Sequence, residues 1–251
     1  MARPLFSCVV PVKGARPFFD EALASLRGQG LGDNLEIIVQ DGDIELDIGQ
    51  SDALNKGFTK AKGEWLFWLN ADDVLLPGAL TKVADRINKI DRIDWIAGDT
   101  VYIDEQGVIK DVRTDAKWRP WYGRKMSVWT GGPSAFFRRS LWERLGGFDT
   151  SLKYVMDIDL WTRWAREGVR FASLNDYVWG FRWYDGSATA SGNNTAAHVE
   201  EKQKLLSRYG IKHPCVWRNL TRVASFLDGT WLKRQHDSRL LHGVHWSEIK
   251  C

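Results

Sequence analysis

The chain has 251 residues, enough for one large domain or for a domain with a small extension. Hydrophobic residues make up 44% and charged residues 27% of it, a balance that excludes intrinsic disorder. The net charge of +3 is unevenly distributed, because the residues after Ile211 carry +4 and the part before them carries −1. The three cysteines lack the spacing of a zinc site or of a closed disulfide framework, which predicts reduced thiols in a reducing compartment.

The first residues contain only a short apolar run, interrupted by Pro11 and Lys13, which does not match the hydrophobic part of a secretion signal. No stretch of the sequence approaches the length of a transmembrane span. These features predict a cytoplasmic protein.

Apolar runs and helical patterns alternate over the first hundred residues. Runs at 5–12, 35–39 and 65–69, with a weaker one at 94–98, predict strands buried on both faces. Helical spacing of apolar residues after Pro17, after Ser51 and from about Pro77 predicts the intervening helices. This alternation predicts an α/β fold with a parallel sheet and right-handed crossovers.

The pattern changes after Gly98. Residues 100–115 predict two short strands about a turn near Gly107, residues 134–138 a strand, and residues 170–184 two further strands. Residues 157–168 and 196–209 have helical periodicity. The aromatic and basic stretch at 117–130 has no clear period.

Acidic residues follow two of the predicted strands. Asp41 ends the second strand, and Asn70, Ala71, Asp72 and Asp73 follow the third. Because ligands of open α/β sheets bind at the carboxyl ends of the strands, these groups are expected to meet in one crevice. Carboxylates brought together in this way need a compensating cation, and Mg²⁺ commonly takes one or two of them and completes its shell with phosphate oxygens and water. The sequence therefore predicts a metal site at Asp72, with Asp73 nearby.

Helix capping is the alternative interpretation of these acids, since aspartate is favoured at helix starts. It applies to Asp72 and Asp73, and equally to Ser51 or Asp52 at the start of the second predicted helix. No GxGxxG follows the first strand and no GxxxxGK occurs, so the dinucleotide and P-loop interpretations lose their main support.

The order of several motifs resembles that of inverting, nucleotide-sugar-dependent glycosyltransferases of family 2, which have the GT-A fold and make bacterial surface polysaccharides. VVPVKG stands at the family's first strand and turn, and EIIVQDG at its second strand. QSDALNKGFTKAKGEWLFWLNADDVLLPGAL resembles the stretch that runs into the metal-binding DxD motif. GGPSAFFRRSLWERLGGFD resembles the acceptor-side segment, and YVMDIDLWTRWAREG the helix that bears the catalytic base. The resemblance covers residues 5 to about 210.

The resemblance implies a GT-A-like nucleotide-binding fold, with a central, mostly parallel mixed sheet flanked by helices. Residues 1–211 would form the glycosyltransferase domain, with a nucleotide-sugar-binding half at 1–99 and an acceptor-binding half at 100–211. Residues 212–251 would form a basic helical extension.

The implied reaction moves a sugar from a nucleotide-diphosphate donor to a hydroxyl of a saccharide or lipid-linked acceptor, with inversion and without a nucleic-acid partner. Asp157 would act as general base, and Mn²⁺ or Mg²⁺ would offset the charge of the departing diphosphate. Because Asp157 also opens a predicted helix, an N-cap role is the alternative, and Asp159 is assigned mainly to structure.

The residues expected at the donor are those of the first two strand ends, the second helix, the acidic loop and one arginine: Pro11, Val12, Lys13, Asp41, Asp52, Asn55, Asn70, Ala71, Asp72 and Arg182. Fixed cations such as Lys13 and Arg182 complement a diphosphate. The residues expected at the acceptor are Trp118, Trp121, Trp129, Gly132 and Tyr184, since an indole face can stack on a sugar ring. The tryptophans of the apolar runs are expected in the core.

The chain departs from the family pattern at four places. Asn70 replaces the first acid of the DxD motif, Met156 replaces the glutamate that usually precedes the catalytic aspartate, and Tyr184 stands where the family often has a histidine. The turn after the first strand reads Val12-Lys13-Gly14 in place of threonine, tyrosine and asparagine.

In the basic tail, Val216, Leu220, Val223, Leu227 and Trp231 recur at helical spacing. This row predicts a helix that either docks on the catalytic domain or lies at the inner face of the cytoplasmic membrane, where a lipid-linked acceptor would be found.

Two rival functions remain open. A sugar nucleotidyltransferase also joins an α/β sheet to metal-bound phosphates, but VVPVKGARP is a poor version of its glycine-rich phosphate loop. A non-catalytic carbohydrate- or nucleotide-binding scaffold of the same fold is the other, made conceivable by Asn70 and Met156.

Overall fold

The computed structural model describes residues 3–14, 17–114, 123–125, 131–185, 187 and 195–249. The described strands are β1 (Phe6–Val12), β2 (Leu35–Asp41), β3 (Trp65–Trp68), β4 (Val74–Leu75), β5 (Trp95–Ile103), β6 (Ile109–Arg113), β7 (Ala135–Arg138) and β8 (Phe171–Arg182). The described helices of more than one turn are α1 (Phe19–Arg27), α2 (Gln50–Lys60), α3 (Ala79–Lys89), α4 (Arg139–Leu145), α5 (Met156–Arg166), α6 (Ala196–Arg208), α7 (Pro214–Leu227) and α8 (Thr230–Leu241).

The strands form one mixed sheet in the order β2-β1-β3-β7-β5-β8-β4, with β6 paired to β5. The pairings of β1 with β2 and β3 are parallel, as the strand and helix alternation of the first hundred residues predicts. The β5–β8 pairing is also parallel. The strands pair antiparallel where β7 lies between β3 and β5, where β6 joins β5, and where β4 joins β8. The predicted α/β class with a mixed sheet flanked by helices is confirmed.

Side chains of the central strands alternate between two apolar layers, which explains why the strands read as continuous apolar runs. On β3, Leu66 and Trp68 face α2 and α5, whereas Trp65 and Phe67 face α1 and α3. The tryptophans of these runs are buried as predicted, and Trp161 of α5 stacks between the rings of β3 and β5.

The sequence predicts a strand end between 98 and 100 and another within 170–184, and neither occurs. Residues 95–103 form the single strand β5, because the polar Asp99 within it is buried and binds Lys233 of the tail, Oδ2 to Nζ, at 2.8 Å. Residues 171–182 likewise form one strand, β8, in which Asn175 has a φ of 60° and disturbs the local pairing without ending it.

The tail forms two helices where the sequence predicts one continuous row. Gly229 has a φ of 80°, which L side chains rarely adopt, and it separates α7 from α8. Beyond α8 the backbone returns to the sheet, where Val244 and Gly243 exchange hydrogen bonds with Ile109 of β6. Within the described part of the chain, no helix is both long and apolar enough to cross a membrane.

Candidate active site

The carboxyl ends of β1, β2 and β3 lie side by side at one edge of the sheet. Val12 is paired with Asp41, and the Gly42 amide donates to the Val12 carbonyl at 2.9 Å. The Leu69 amide donates to the Val9 carbonyl at 3.1 Å, so the chain leaves β3 on the same edge. The prediction that Asp41 and the acidic loop share one edge agrees with this geometry.

Asp73 is the buried anchor of the acidic loop, residues 70–73. Its carboxylate is 1% exposed and accepts the Arg182 backbone amide at 2.9 Å and the Asn70 side-chain amide at 2.8 Å. Burial, followed by the negative charge of Asp72, raises the pKa of Asp73 well above its usual range. Since both oxygens bind donors of the protein, the geometry argues against Asp73 as a metal ligand and assigns it to holding the loop.

Asn70, where the family motif has an acid, is the donor that this anchor needs. Its Nδ2 donates to Asp73, and its Oδ1 accepts from Gln50 Nε2 at 2.8 Å. An aspartate at position 70 would replace the donor with a second negative charge beside a buried carboxylate.

We therefore expect Asn70→Asp to lower the free energy of unfolding by about 1–3 kcal/mol in urea unfolding at neutral pH. Asn88→Asp, at an exposed position of α3, is the matched control and should change it little. Equal free energies for the two variants would contradict a stabilising Asn70–Asp73 hydrogen bond.

Asp72 is the more accessible of the two acids. It is half-buried, and its Oδ2 accepts the Tyr184 hydroxyl at 3.3 Å. Burial raises the pKa of the Asp72 carboxyl, and burial together with the Asp72 charge raises that of Tyr184. Tyr184 packs edge-on against Phe18, which fixes its ring beside the loop. The structure thus places Tyr184 at the predicted metal site.

The protein side chains at this site fit a hard divalent ion that takes most of its ligands from phosphate oxygens of the substrate and from water. Among the residues that the structure describes, no three His, Cys, Asp or Glu side chains are arranged to hold a metal. Of the two acids of the loop, Asp72 has the more exposed carboxylate, which suits an ion that takes one carboxylate and completes its shell with phosphate and water.

Arg182 has a different role from the predicted phosphate contact. Its side chain is completely buried and forms an ion pair with Glu21, Nη2 to Oε2, at 2.6 Å. Its Nε donates to the Asp72 carbonyl at 2.9 Å, and its Nη1 donates to the carbonyls of Asp104 and Glu105. The guanidinium also lies 4.3 Å from the centre of the Phe18 ring. The prediction that Arg182 contacts phosphate is therefore wrong. Its bonds to Asp72 and Asp73 hold the acidic loop in place from the buried side.

The first turn of α2 joins the acidic loop to the start of α5. Gln50 donates to Asn70, and the adjacent Ser51 donates to the Leu152 carbonyl at 2.8 Å. The Ser51 hydroxyl also lies 2.9 Å from the sulfur of Met156. The residue that replaces the family's glutamate is therefore buried against α2, and the loop and α5 converge on one turn of helix.

Asp157 lies in the first turn of α5, one residue after the helix begins. Its Oδ1 accepts only a local backbone amide in the contacts described, that of Ile158 at 2.8 Å, and the cap position itself is Val155. Burial raises the pKa of Asp157 to about 6, against smaller opposing effects of the Ile158 amide and the Arg113 charge. A carboxylate with a raised pKa at a site edge is suited to accept a proton, and the N-cap interpretation does not hold.

Asp159, two residues further on, is structural as predicted. It is fully buried and accepts from Arg163 at 2.8 Å, from Arg208 at 3.1 Å and from the Tyr209 hydroxyl at 2.6 Å. It therefore ties α5 to α6.

Two predicted donor contacts are occupied by structural bonds. Asp52 is bound to Lys56 at 2.9 Å and accepts the Ile48 amide at 3.2 Å, so it lies in the first turn of α2, whereas the cap position itself is Gly49. Asn55 exchanges two hydrogen bonds of 2.9 Å with the backbone of Phe148. The Asn55 amide therefore fastens α2 to the backbone before α5, through both its nitrogen and its oxygen.

The remaining donor-side residues lie at the predicted edge. Lys13 is exposed, with its Nζ 3.6 Å from Asp47, while Val12 is buried and Pro11 and Ala71 are half-buried. Asp41 is half-buried and accepts the Asp43 amide at 2.9 Å. Lys13 and Asp41 are therefore charged groups of the same sheet edge from which the acidic loop leaves β3.

The acceptor predictions are only partly covered by the described residues. Gly132 is buried against Trp68, and a Cβ there would lie 2.2 Å from the indole, so the glycine is required for packing. Trp118, Trp121 and Trp129 lie outside the described residues.

Sequence reasoning missed Glu21 and Gln50, which hold Arg182 and Asn70. Glu21 and its partner Arg182 are 161 positions apart, so no local pattern could have joined them. Trp246 of the tail also donates to Glu21, Nε1 to Oε1, at 2.7 Å, which links the tail to the acidic loop.

Residues 45–144 match the model of the glycosyl transferase family 2, a segment that includes the acidic loop and ends before Asp157. That segment is similar to the family 2 domain, and the fold of the chain is that of GT-A glycosyltransferases. The chain is 27% identical to an uncharacterized glycosyltransferase of Rickettsia typhi over 234 residues, which cover 82% of this chain and 71% of the relative. The chain spans between 42% and 71% of the lengths of three rickettsial relatives.

Solved structures of two glycosyltransferases share the fold of the GT-A domain. S. aureus TarS in complex with UDP-GlcNAc matches with a TM-score of 0.62 at 18% identity, over 91% of this chain and 75% of that one. The mannosyltransferase PcManGT of Pyrobaculum calidifontis, in complex with GDP-Man and Mn²⁺, matches with a TM-score of 0.55 at 17% identity, over 91% and 76% of the two chains.

Proposed function

We propose that this protein is an inverting glycosyltransferase that transfers a sugar from a nucleotide-diphosphate donor to a hydroxyl of a saccharide or lipid-linked acceptor. The observation that carries the proposal is that the first turn of α2 binds both the acidic loop, through Gln50 and Asn70, and the segment that leads into α5, through Ser51 and Leu152. Asp72 belongs to the first of these segments, and Asp157 follows the second. The family 2 match over residues 45–144 supports the same reaction class.

The donor is expected at the carboxyl edge of β1, β2 and β3. Asp41 and Lys13 lie beside the turn after β1, where they can contact the base and the diphosphate. The structures of TarS and PcManGT, with UDP-GlcNAc and GDP-Man, place nucleotide sugars among the ligands of proteins with this fold. Uridine and guanosine diphosphates are therefore the first donors to test.

Asp72 would hold the divalent ion, Mn²⁺ or Mg²⁺. When bound, such an ion offsets negative charge on the departing diphosphate. The protein's own contribution is the position of the carboxylate, since Arg182 holds the Asp72 carbonyl and Tyr184 contacts Oδ2.

Asp157 would accept the proton of the acceptor hydroxyl as that oxygen attacks the anomeric carbon of the donor. The bond to the diphosphate breaks on the opposite face of the sugar, so this direct displacement inverts the anomeric configuration. A pKa of about 6 leaves the carboxylate ionised at neutral pH and more basic than an ordinary aspartate.

Calorimetric titration with UDP and with GDP, each with and without Mn²⁺, tests the proposal. We expect one nucleotide to bind, and its affinity to fall by at least about tenfold when the metal is omitted. Asp72→Asn should remove the metal-dependent part, whereas Asp85→Asn, at an exposed position of α3, should retain it.

If neither nucleotide binds under any condition, the proposal fails. The non-catalytic scaffold of the same fold then becomes the better interpretation, and binding of free saccharides is the measurement that follows. Binding of a nucleotide sugar without transfer or hydrolysis would also favour the scaffold.

A further inference from the structure

The two tail helices present their apolar side chains to solvent. In α7, Val216, Leu220, Val223 and Leu227 lie on one face, and each is between 44% and 78% exposed. The helix packs on the domain through its other face, where Thr221 is buried and Ala224 contacts the core. The apolar row of α7, which the sequence predicts as a docking face, therefore does not pack on the domain.

Helix α8 has the same inverted arrangement, because charged side chains fasten it to the sheet. Lys233 binds Asp99 at 2.8 Å, and Arg234 binds Asp111 at 2.9 Å. Asp237 accepts the Tyr177 hydroxyl at 2.9 Å. A surface helix ordinarily buries its apolar side and exposes its charges, so this arrangement is unexpected for a face that meets only water.

Apolar side chains of α8 continue the exposed surface of α7. Trp231, Leu232 and Leu240 are 45%, 58% and 63% exposed. The ring of Trp231 lies 5.8 Å from that of Phe226, which joins the two helices across the break at Gly229. We call the outward side of residues 214–241 the tail surface. It holds eight of the fourteen large hydrophobic side chains exposed in the described part of the chain.

The charges exposed around the tail surface are positive. Lys212, Arg218, Arg222 and Arg239 are exposed, whereas the two acids of residues 212–242, Asp228 and Asp237, are half-buried and bound within the protein. Two copies of the chain joined through this surface would bring like charges together, which opposes a symmetric dimer. Anionic lipid headgroups complement the cations, and the acyl region accepts the tryptophan and aliphatic side chains.

We propose that the tail surface is a docking site for an anionic lipid bilayer, with α7 and α8 lying in the plane of the interface. The surface belongs to the same body as the sheet, since α8 is bound to β5 and β6 and Trp246 binds Glu21. This inference does not depend on the glycosyltransferase proposal, because it uses none of the residues assigned to the donor site.

Flotation of the purified chain with vesicles tests the inference. Vesicles of phosphatidylcholine with one third phosphatidylglycerol are expected to carry the protein, and vesicles of phosphatidylcholine alone to carry much less. Raising the salt to about 0.5 M should weaken the binding, because it screens the attraction between headgroups and arginines. The readout is vesicle binding alone, so its failure is distinct from a failure of nucleotide binding.

Two sets of substitutions separate the apolar and the charged contributions. Val223→Gln, Leu227→Gln and Leu232→Gln combined should lower the vesicle affinity by at least about tenfold. Arg222→Gln with Arg239→Gln should lower it by about 10- to 30-fold on anionic vesicles. All five positions are exposed, so circular dichroism and the unfolding midpoint should remain unchanged.

Matched controls lie elsewhere on the surface. Ile44, Leu46 and Ile48 are at least as exposed but stand among acids, and their change to glutamine should leave vesicle binding intact. Arg27→Gln with Arg144→Gln, both exposed, should do the same.

The inference is overturned if the chain fails to bind anionic vesicles at low salt, or if the triple variant binds them as the unmodified chain does. It is also overturned if light scattering shows a dimer that the triple variant disperses without any vesicle binding, since a second copy would then cover the surface.

Discussion

Replacing Asp157 with asparagine is expected to reduce sugar transfer by about 10²- to 10⁴-fold, the usual contribution of a general base, while nucleotide affinity is retained. The amide keeps the size of the side chain but cannot accept the acceptor's proton at neutral pH. The activity of the unmodified chain should rise with pH through about 6, as the carboxyl loses its proton, and then level off. Release of nucleotide from nucleotide sugars, with water as acceptor, measures this before the natural acceptor is known.

The same substitution should stabilise the fold at neutral pH. Burial raises the pKa of Asp157 from 3.8 to about 6, so the folded state binds more protons than the unfolded state between these values, and ionisation costs stability as pH rises. Asp157→Asn removes a cost of roughly 1–3 kcal/mol at pH 7 and above, and its advantage should vanish below about pH 4.

Asp159→Asn is the matched control, because it alters an acid two residues away on the same helix. It removes a charge partner of Arg163 and Arg208 that is fully buried, so it should lower stability where Asp157→Asn raises it. Turnover retained by Asp157→Asn would remove the assignment of the base. Equal changes in the free energy of unfolding would contradict the assignment that Asp159 is paired with cations and Asp157 is not.

Arg182→Met is expected to lower the free energy of unfolding by about 3–5 kcal/mol, the cost of breaking a buried ion pair by removal of one partner. The change leaves Glu21 without its cation and leaves the carbonyls of Asp72, Asp104 and Glu105 without these donors. Because Asp72 loses the contact that fixes its backbone, metal-dependent nucleotide affinity should fall with stability. Urea unfolding and calorimetric titration measure the two effects.

Arg170→Met provides the comparison. Arg170 makes a two-bond ion pair with Asp94, but its side chain is 53% exposed, and loss of such a pair typically costs at most about 1 kcal/mol. If Arg182→Met lowers the free energy of unfolding no more than Arg170→Met does, the buried contacts of Arg182 do not stabilise the fold more than an exposed ion pair.

The buried contacts of Arg182 also explain how the tail and the acidic loop are connected. Trp246 binds one oxygen of Glu21, and Arg182 binds the other. The Arg182 backbone amide binds Asp73, so Glu21 and Arg182 together connect the tail with the acidic loop.

Elements with strong local patterns were predicted closely. The apolar runs of β1, β2 and β3 and the helices between them follow from periodicity, because burial on both faces requires such runs. The edge that carries Asp41 and Asp72 follows from the order of strand and loop. The role of Asp157 as a base is implied by the family resemblance and stays a prediction, and a raised pKa is compatible with it.

The errors occur where distant contacts replace local rules. Residues 95–103 remain one strand because Lys233 compensates the buried Asp99, and α7 docks through the face that looks less apolar. Arg182 was expected at the diphosphate because a cation near the site suggests that role, yet Glu21 and three carbonyls already bind it. Asp73 was expected at the metal, although Asn70 and Arg182 bind both of its oxygens.

The sequence by itself determined the α/β class, the acidic edge of the sheet and the basic, amphipathic character of the tail. These properties follow from composition and from the spacing of residues close together in the chain. Only the tertiary structure decided which acid is free to bind a ligand, which arginine is buried and which face of the tail meets solvent. Those choices depend on partners more than a hundred residues away, because burial and ion pairing are set by what the folded chain brings into contact.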